Sequence, residues 1–416
     1  MLIPPSIFTR VLSALLVMSA ALSIDAHAQA PATTNDSEVR PFKIAVAQSD
    51  LDELNRRLDA TRWPDAETVP DASQGAQLAK VKALVDHWRH SYDWRRVEAR
   101  INSYPQFVTR IDGVDIHFLH IKSKHKNALP LIMTHGWPGS IVELLDVIGP
   151  LTDPTAYGGK AEDAFDLVLP SLPGYGFSGK PVEPGWGRAR VARAWDTLMK
   201  RLGYTHYVAQ GGDWGAVVTQ EMGHQAPVGL LAIHINMPAV VPRTPPTKFS
   251  ADEQAAMDSL NAFFGKGAGY AQIQASRPQT IGYALADSPV GQAAWIYEKL
   301  AAWSDSNGQP EKVLGYDRML DDIMMYWLTN TGTSSARFYW ENSDLAFFVV
   351  GIDIPVGVTV FPKEIYQAPR SWSEQAYPKL MYWNKVDRGG HFAAFEQPEL
   401  FAREVRSAFA GIRKLR

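Results

Sequence analysis

Segments with the pattern of buried β-strands alternate with helical segments along most of this 416-residue chain. Parallel strands that are covered on both faces read as continuous apolar runs, and each needs a crossover connection, usually a helix, to the next strand. The alternation therefore predicts an α/β domain with a largely parallel, doubly wound sheet. The strand segments include LPLIMTHG, FDLVLP, THYVAQ, GLLAIHINMP and PVGVTVFP, and RARVARAWDTLMKRLG is typical of the helices between them.

The alternation stops from about Pro238 to Leu345, where the chain is helical in pattern and rich in aromatic residues. A helical segment that interrupts a series of strands predicts a cap inserted into the α/β core. We therefore expect four consecutive regions after the N-terminus. They are a linker and N-terminal helical extension (29–105), the first part of the core (106–237), the helical cap (238–348) and the second part of the core (349–416).

Two amphipathic helices and a hairpin are expected ahead of the first long buried strand. The apolar face of SDLDELNRRLDATRW follows Ser49 and Asp50, either of which we expect to cap the helix, and QLAKVKALVDHWRHSYDW repeats the same spacing. Asp112-Gly113 lies between two alternating segments and predicts a tight β-hairpin turn.

Residues 1–28 have the features of a secretory signal peptide. Arg10 precedes an apolar run from Val11 to Ile24, and Ala26-His27-Ala28 fits a small-residue cleavage site. We expect cleavage after Ala28 and a periplasmic or secreted protein with no stable membrane span. An N-terminal membrane anchor is the alternative, although the apolar run is short for crossing the hydrocarbon core of a bilayer.

Composition limits the partners that the chain can bind. A net charge of −3 gives no electrostatic reason to expect nucleic acid as a partner. The chain has no cysteine, which excludes disulfides and thiolate metal sites. The pairs His87/His90 and His117/His120 lack an acidic co-ligand in a recognisable pattern, so we predict no metal. We make no prediction of the oligomeric state.

Four short motifs occur in a fixed order in the core: HGWPGS (135–140), PGYGFS (173–178), GGDWG (211–215) and GGHFAAFEQPE (389–399). With the N-terminal segment RPFKIAVAQSDLDELNRRL, they make the chain resemble the epoxide hydrolases of the α/β-hydrolase fold, in the microsomal-type branch that carries an N-terminal extension. The resemblance runs from about residue 40 to the C-terminus. It implies that the chain opens an epoxide to a vicinal diol through an aspartyl ester, without a metal or cofactor.

The segment QGGDWGAVV (210–218) has the glycine spacing of a nucleophile elbow, but Asp213 stands where the G-x-S-x-G frame carries serine. A serine that opened an epoxide would be left as an ether, which water does not cleave on the timescale of an enzyme. A carboxylate is left as an ester, whose carbonyl activated water can attack. We therefore predict that Asp213 is the nucleophile; capping of the following helix is the alternative role.

Hydrolysis of such an ester needs a general base and an acid that orients it. His391 follows the strand-like KLMYW and a Gly-Gly pair, on a loop at the expected carboxyl edge of the sheet, and the resemblance points to the same residue. Glu364 follows PVGVTVFP, in a segment that resembles the one carrying the family's acid. Asp353 is the second candidate, and Asp344 and Asp387 were also considered for this role.

The resemblance assigns the oxyanion hole to the backbone N–H groups of Trp137 and Trp214, with a cis peptide bond between Trp137 and Pro138. The side chains of Trp137, Trp214 and Phe338 are expected to line the substrate pocket. These aromatic residues favour a small apolar epoxide, with water as the second substrate. His135 is expected to support this loop and not to act as a base.

Two tyrosines, Tyr270 and Tyr339, occupy cap segments that resemble those of the family's proton donors. A phenol is protonated at neutral pH and is acidic enough to serve a departing alkoxide. Packing among the aromatic residues of the cap is the alternative role for each, and we expect Tyr283, Tyr316 and Tyr326 to be structural.

Three other functions were considered. A haloalkane dehalogenase would share Asp213 and could use Trp137 and Trp214 as halide donors, but it would not need the two tyrosines. A non-catalytic binding protein of the same fold would have no need for the complete set of residues. A serine esterase is disfavoured because the elbow lacks serine.

Overall fold

The computed structural model describes residues 36–242, 244, 246–344 and 351–415, so the expected signal peptide (1–28) lies outside the described residues. The described residues contain nine β-strands, all in one sheet. The strands are β1 Val39–Pro41, β2 Gln106–Ile111, β3 Val114–Ile121, β4 Leu129–Thr134, β5 Phe165–Pro170, β6 Tyr207–Gly211, β7 Leu230–Ile235, β8 Val356–Val360 and β9 Leu380–Lys385.

The sheet has the strand order β1-β2-β3-β5-β4-β6-β7-β8-β9. Strands β1, β2, β3 and β5 pair antiparallel in that order, and every pairing from β5 to β9 is parallel. All residues of β4, β6 and β8 are buried, which explains why these strands are continuous apolar runs in the sequence. The predicted α/β class and the largely parallel sheet are confirmed.

The described part of the chain also contains fifteen α-helices. They are α1 Gln48–Asp59, α2 Leu78–His90, α3 Trp94–Asn102, α4 Ile148–Thr152, α5 Arg188–Arg201, α6 Trp214–Gln225, α7 Ala251–Ala262, α8 Gly269–Ser276, α9 Pro278–Asp287, α10 Pro289–Trp303, α11 Gly315–Leu328, α12 Gly332–Glu341, α13 Arg370–Ala376, α14 Ala393–Glu396 and α15 Pro398–Phe409. A π-helical turn, Phe263–Gly267, joins α7 to α8.

The hairpin between β2 and β3 forms at the predicted position. Ile111 pairs with Val114, and the two residues between them have left-handed backbones, with φ of 48° at Asp112 and 84° at Gly113. Positive φ at both central residues is the requirement of a type I′ turn, which suits the twist of the two strands.

The predicted cap of helix α1 is wrong. It begins at Gln48, so its N-cap is Ala47, and no side chain makes a capping hydrogen bond there. Ser49 and Asp50 therefore lie inside the first turn, where an acidic residue such as Asp50 still interacts favourably with the helix dipole. Leu54 and Leu58 are buried, as the amphipathic pattern predicts.

Ion pairs join the N-terminal helices to helices between β7 and β8. Arg96 of α3 binds Asp321 of α11 with a nitrogen–oxygen distance of 2.6 Å, and Lys80 of α2 binds Glu311 at 2.7 Å. Asp321 is only 4% exposed on its side chain, so the Arg96 guanidinium satisfies a carboxyl group that would be costly to bury unpaired.

The segment between β7 and β8 contains helices α7 to α12, and no strand occurs in its described residues. The loops after β4, β6, β8 and β9 leave from the carboxyl edge of the sheet, which is the edge where open α/β sheets bind ligands. Among the helices that the structure describes, none has both the length and the apolar character needed to cross a membrane.

Candidate active site

Asp213 lies in the sharp turn between β6 and α6. Its backbone has φ 51° and ψ −129°, a strained conformation for a residue other than glycine. A Cβ atom on Gly211 would lie 2.1 Å from the carbonyl oxygen of Gly215, and one on Gly215 would lie 1.9 Å from that of Thr134. The glycines of GGDWG are therefore required by close backbone approach. Asp213 occupies the N-cap position of α6, but its side chain makes no capping hydrogen bond.

Three side chains that are distant in sequence meet at this turn. The Nε2 atom of His391 lies 3.2 Å from Oδ2 of Asp213, and its Nδ1 atom lies 2.5 Å from Oε1 of Glu364. The side chains of His391 and Glu364 are 2% and 0% exposed, while that of Asp213 is 14% exposed. The arrangement has the geometry of a nucleophile, a base and an orienting acid.

The other candidates for the orienting acid lie elsewhere. Asp353 and Asp387 are exposed, and Asp344 binds Arg188 at 2.9 Å on the surface. Only Glu364, of the four acids considered, is placed beside His391. The backbone N–H of Ile365 also donates to Glu364 Oε1, at 2.8 Å, and helps to fix the carboxylate.

Two opposing effects set the pKa of His391. Burial of the ring disfavours the charged form, but the carboxylates of Glu364 and Asp213 outweigh burial and hold the pKa of His391 well above its usual value. The resting site therefore favours an imidazolium that donates one hydrogen bond to each carboxylate.

We expect the substitution Asp213→Asn to lower the pKa of His391, because it removes one of the two negative charges that favour the imidazolium. NMR titration of protein labelled at histidine measures this pKa directly. The signal of the exposed His90 serves as the internal control. An unchanged pKa of His391 in the variant would contradict the assigned electrostatic coupling.

The loop after β4 carries an oxyanion donor. The backbone N–H of Trp137 donates to Oδ1 of Asp213 at 2.8 Å, and the Trp137–Pro138 peptide bond is cis, as the resemblance implies. Trp214 directly follows Asp213 and begins α6. The structure therefore brings both residues predicted for the oxyanion hole next to the carboxylate of Asp213.

His135 supports this loop. Its Nε2 atom accepts a hydrogen bond from the Leu172 N–H at 3.1 Å, so the proton is on Nδ1, which donates to the carbonyl of Gly136 at 3.0 Å. Burial lowers the pKa of His135 to about 4, and the ring is neutral at physiological pH. A neutral histidine with both nitrogens occupied fits the predicted supporting role.

Tyr270 and Tyr339 project from α8 and α12 toward Asp213. The Tyr270 ring stacks on Trp137 with 5.0 Å between centroids, and the Tyr339 ring packs edge-on against Trp214 at 4.8 Å. Burial, followed by the charge of Asp213, raises the pKa of Tyr270 above its usual value, so the phenol stays protonated. The Tyr339 hydroxyl is buried with no hydrogen-bond partner among the described residues.

An apolar cavity of about 330 Å³ opens from these side chains. Asp213, Trp214, Tyr270 and Tyr339 lie at its polar end. Its other walls are mainly apolar and include Val217, Met237, Leu260, Phe263, Phe264 and Ile365. The size and lining are typical of a site for a small apolar ligand held by a few polar groups.

Two predicted pocket residues lie elsewhere. Phe338 does not line the apolar cavity; it packs against Trp214 at 5.0 Å and against Tyr175 at 6.3 Å between ring centroids. The prediction that Phe338 contacts the substrate is therefore corrected, because its ring supports Trp214 instead. Trp137 lines a second, smaller cavity and lies behind the apolar one, where its ring packs against Tyr270 and Tyr339.

The second cavity is polar and has a volume of about 30 Å³, enough for one water molecule. It is bordered by His391, Asp213, Glu143, Gln210 and Asn236. These side chains offer several hydrogen-bonding groups around the cavity, which is the environment that buried water requires.

Glu143 was not singled out by the sequence analysis. It lies in the apolar segment IVELLDV with its carboxyl group against Gly139, and burial, together with the nearby Asp322, raises its pKa to about 8. Asp322 is also buried, accepts a hydrogen bond from the Ser140 hydroxyl at 2.6 Å, and has a pKa raised to about 7, mainly by burial. The sequence signal that could have identified Glu143 and Asp322 is an acidic residue within an apolar stretch.

The raised pKa of Glu143 predicts a measurable pH dependence of stability. Between pH 4.5 and 8 the unfolded chain loses the proton that the folded chain retains, so the folded state is destabilised as pH rises. In the wild type this proton should lower the free energy of unfolding by on the order of 1 kcal/mol for each pH unit in this range. In Glu143→Gln this pH-dependent decrease should be absent. Urea unfolding across this range tests it, with Glu162→Gln at the exposed surface as the control. Parallel pH profiles for wild type and Glu143→Gln would contradict this expectation.

The loop that carries His391 is held by Glu396, which the sequence analysis also missed as a site residue. The carboxylate accepts hydrogen bonds from the backbone N–H groups of Asp305, Gly390 and Phe392, at 2.7, 3.1 and 3.1 Å. The N–H of His391 itself donates to the carbonyl of Trp303 at 2.9 Å. These bonds fix the base against the C-terminal end of α10.

The histidine pairs considered for metal binding have other partners. His117 is buried between Ser171 and Gln106, and His120 contacts the Tyr204 hydroxyl at 2.8 Å. His87 pairs with Asp317 at 2.7 Å. Among the residues that the structure describes, no group of three or more histidines, aspartates and glutamates is arranged to hold a metal ion.

Comparison with known families agrees with this geometry. Residues 39–144 match the family model described as the epoxide hydrolase N terminus, and residues 130–271 match the alpha/beta hydrolase fold. The sheet, the elbow and the extension thus define an α/β-hydrolase-fold enzyme with an added N-terminal segment.

Individual relatives show to which family of α/β-hydrolase-fold enzymes the chain belongs. A protein of Stigmatella aurantiaca that is named, provisionally, an epoxide hydrolase is 60% identical over 90% of this chain and 86% of its own length. Epoxide hydrolase 1 of Sus scrofa is 35% identical over 92% of this chain and 90% of its own. The crystal structure of juvenile hormone epoxide hydrolase from Bombyx mori superposes with a TM-score of 0.84 at 31% identity, covering 91% of this chain and 95% of that one. The chain belongs to the epoxide hydrolase family, as the resemblance indicated.

Proposed function

We propose that this epoxide hydrolase forms its ester on Asp213 and that the residues around Asp213 carry out the remaining steps. A carboxylate oxygen of Asp213 attacks an epoxide carbon, the carbon–oxygen bond breaks, and its electron pair goes to the departing oxygen. Tyr270 and Tyr339 donate hydrogen bonds to that oxygen, and one of them transfers its proton and becomes a phenolate.

Ester formation itself prepares the base. It removes the negative charge of Asp213, one of the two charges that hold the pKa of His391 high. The pKa of His391 then falls, and the ring gives its proton to restore the tyrosine phenolate to a phenol. The neutral ring can then accept a proton from water. Glu364 remains beside Nδ1 throughout and stabilises the imidazolium that forms.

Hydrolysis uses the polar cavity beside His391. A water molecule there loses a proton to His391, and the resulting hydroxide adds to the ester carbonyl, whose oxygen is stabilised by the N–H groups of Trp137 and Trp214. Collapse expels the diol alkoxide, which takes the proton from His391. The carboxylic acid left at Asp213 then gives its proton to His391, which restores the carboxylate and the imidazolium of the resting site.

The substrate class follows from the apolar cavity. Its volume of about 330 Å³ suits a small to medium epoxide, and its walls offer dispersion contacts to an aliphatic or aromatic substituent. Asp213 and the two tyrosines in the lining offer the nucleophile and the hydrogen-bond donors that an epoxide ring needs.

The observation that carries this proposal is the position of Asp213, with one oxygen on the Trp137 amide and the other facing His391. A single turnover in H₂¹⁸O, with enzyme in excess over styrene oxide, tests it. The first diol formed should be unlabelled, and ¹⁸O should appear in Asp213, because water attacks the ester carbonyl. When styrene oxide is instead in excess over enzyme, the many turnovers that follow in H₂¹⁸O should give labelled diol.

Label in the diol of the first turnover would mean that water attacks the epoxide directly and would overturn the ester mechanism. A parallel assay with 1-chlorobutane and 1-bromobutane distinguishes the dehalogenase alternative. Turnover of these haloalkanes without turnover of epoxides would replace the proposal, since halide needs hydrogen-bond donors but no transferred proton.

We also propose that the chain is exported after cleavage behind Ala28. The support is the sequence alone: a basic residue, an apolar run and a small-residue cleavage site in that order. Cell fractionation with N-terminal sequencing of the purified protein tests the proposal. A mature chain that begins at Gln29 outside the cytoplasm is expected, and a membrane-bound chain that retains residues 11–24 would favour the anchor instead.

A further inference from the structure

A buried lysine lies against the ring of one proposed proton donor. Lys299, on α10, is 5% exposed, and its Nζ atom lies 4.3 Å from the centroid of the Tyr270 ring and 5.4 Å from that of Trp303. It forms an ion pair with the neighbouring Glu298, whose side chain is partly exposed. Burying an ammonium group is costly, so its position over two aromatic rings calls for a physical explanation.

The surroundings of Tyr270 connect this lysine to the reaction. The Tyr270 ring stacks on Trp137, whose backbone N–H binds Asp213, and packs edge-on against Trp303 at 5.2 Å. Trp303 in turn lies 5.0 Å from the ring of His391. Lys299 does not line the apolar cavity, so it acts on the chemistry through Tyr270 and not by touching the epoxide.

The interaction grows as the reaction proceeds. With a neutral phenol, a cation over the ring is attracted only by the ring quadrupole. When the phenol gives its proton to the epoxide oxygen, a full negative charge spreads into the ring, and the attraction becomes one between opposite charges in a water-poor site. An interaction that is stronger in the transition state than in the ground state accelerates the step.

We propose that Lys299 is a positioning residue that stabilises the phenolate of Tyr270 while the epoxide opens. This rests on the proposed role of Tyr270 as a proton donor. Lys299 makes and breaks no bond: the proton passes from Tyr270 to the departing oxygen, and the ammonium compensates the charge left behind. Asp213 and Glu298 are the negative groups near Tyr270 that oppose the phenolate, and Lys299 offsets both.

Stopped-flow measurement of tryptophan fluorescence separates ester formation from ester hydrolysis in single turnovers of methyloxirane. Lys299→Met, which keeps the length and removes the charge, should slow ester formation about 30-fold and leave hydrolysis near the wild-type rate. Lys299→Arg should restore formation to within about threefold of wild type. An equal slowing of both steps would indicate a structural role only and would overturn the proposal.

Leaving-group basicity provides a readout that misfolding does not affect. Trifluoromethyloxirane gives a less basic alkoxide than methyloxirane and depends less on proton donation, so the loss caused by Lys299→Met should be smaller for it. Glu298→Gln, at a partly exposed position, removes a negative charge near Tyr270 and should leave formation equal to or faster than wild type. The same loss for both epoxides in folded Lys299→Met would contradict the proposal. Slower formation in Glu298→Gln would contradict it even if Lys299→Met did not fold.

A double-mutant cycle with Tyr270→Phe separates this proposal from the one on which it rests. In the Tyr270→Phe background, Lys299→Met should cause no further loss in ester formation. If Tyr270→Phe slows formation but Lys299→Met does not, Tyr270 is the donor and the inference about Lys299 is wrong. If Tyr270→Phe leaves formation unchanged, the proposed donor role itself fails.

Discussion

Asp213→Asn is expected to lower kcat/KM for an epoxide by about 10⁴-fold or more, because the amide is a poor nucleophile and no other described carboxylate is placed at the elbow. The change should not unfold the protein. Asparagine tolerates positive φ better than most residues, so it suits the backbone conformation with φ 51° at position 213. Steady-state kinetics with styrene oxide, together with circular dichroism, measures both outcomes.

The control for this substitution is Asp196→Asn, on α5, whose carboxylate binds Tyr207 and Lys200 away from the elbow. It should retain nearly full activity. Peptide mass analysis should confirm that residue 213 is still asparagine at the end of the assay. Substantial epoxide turnover by the intact Asp213→Asn protein would show that the nucleophile lies elsewhere.

His391→Ala is expected to separate the two halves of the reaction. Ester formation requires Asp213 and the tyrosines and should continue, whereas hydrolysis loses its base and should slow by about 10³–10⁴-fold. Rapid mixing should then show one burst of epoxide consumption, equal to the enzyme concentration, followed by very slow turnover. Glu364→Gln should give a weaker form of the same behaviour, because the base remains but loses its partner at Nδ1.

A buried histidine with no assigned role provides the matched control. His234 packs in the core and contacts Thr359 at 3.0 Å, so a substitution there tests the loss of a buried imidazole without the loss of the base. His234→Asn should affect stability more than the ratio of the two steps. Loss of the burst in His391→Ala would mean that His391 is needed for ester formation as well and would contradict the division of roles.

The parts of the site that could be predicted from sequence are those fixed by short-range geometry. A Cβ atom on Gly211 would lie 2.1 Å from the carbonyl oxygen of Gly215 in the same turn, so the elbow leaves a recognisable glycine spacing. The strand ends that carry Glu364 and His391 follow continuous apolar runs, and parallel strands bring their carboxyl ends to one edge. Local constraints of this kind are visible without the fold.

The contributions of Glu143, Asp322 and Lys299 were not predicted, because they depend on how the cap packs on the core. Asp322 and Ser140 are 182 positions apart in sequence, and their contact has no local signature. Lys299 is buried in the assembled cap, with its ammonium group near the rings of Tyr270 and Trp303. A charged residue in a helix is normally taken as exposed, and only the assembled cap shows otherwise.

The error at Phe338 has a simple geometric cause. Tyr339 faces the apolar cavity, and neighbouring residues on α12 point about 100° apart around the helix, so Phe338 cannot face the same side. The error at the start of α1 arose because side-chain capping was assumed where the structure has alanine at the cap. The motifs therefore did not predict which side of a helix each residue faces or the residue at which a helix begins.

Intact-protein mass spectrometry of His391→Ala mixed with styrene oxide tests the central claim most directly. The account predicts a mass increase equal to one whole epoxide, located on the peptide that contains Asp213 and absent from the Asp213→Asn, His391→Ala double variant. An adduct on another residue, or an adduct that survives in the double variant, would contradict the assignment of Asp213 as the nucleophile.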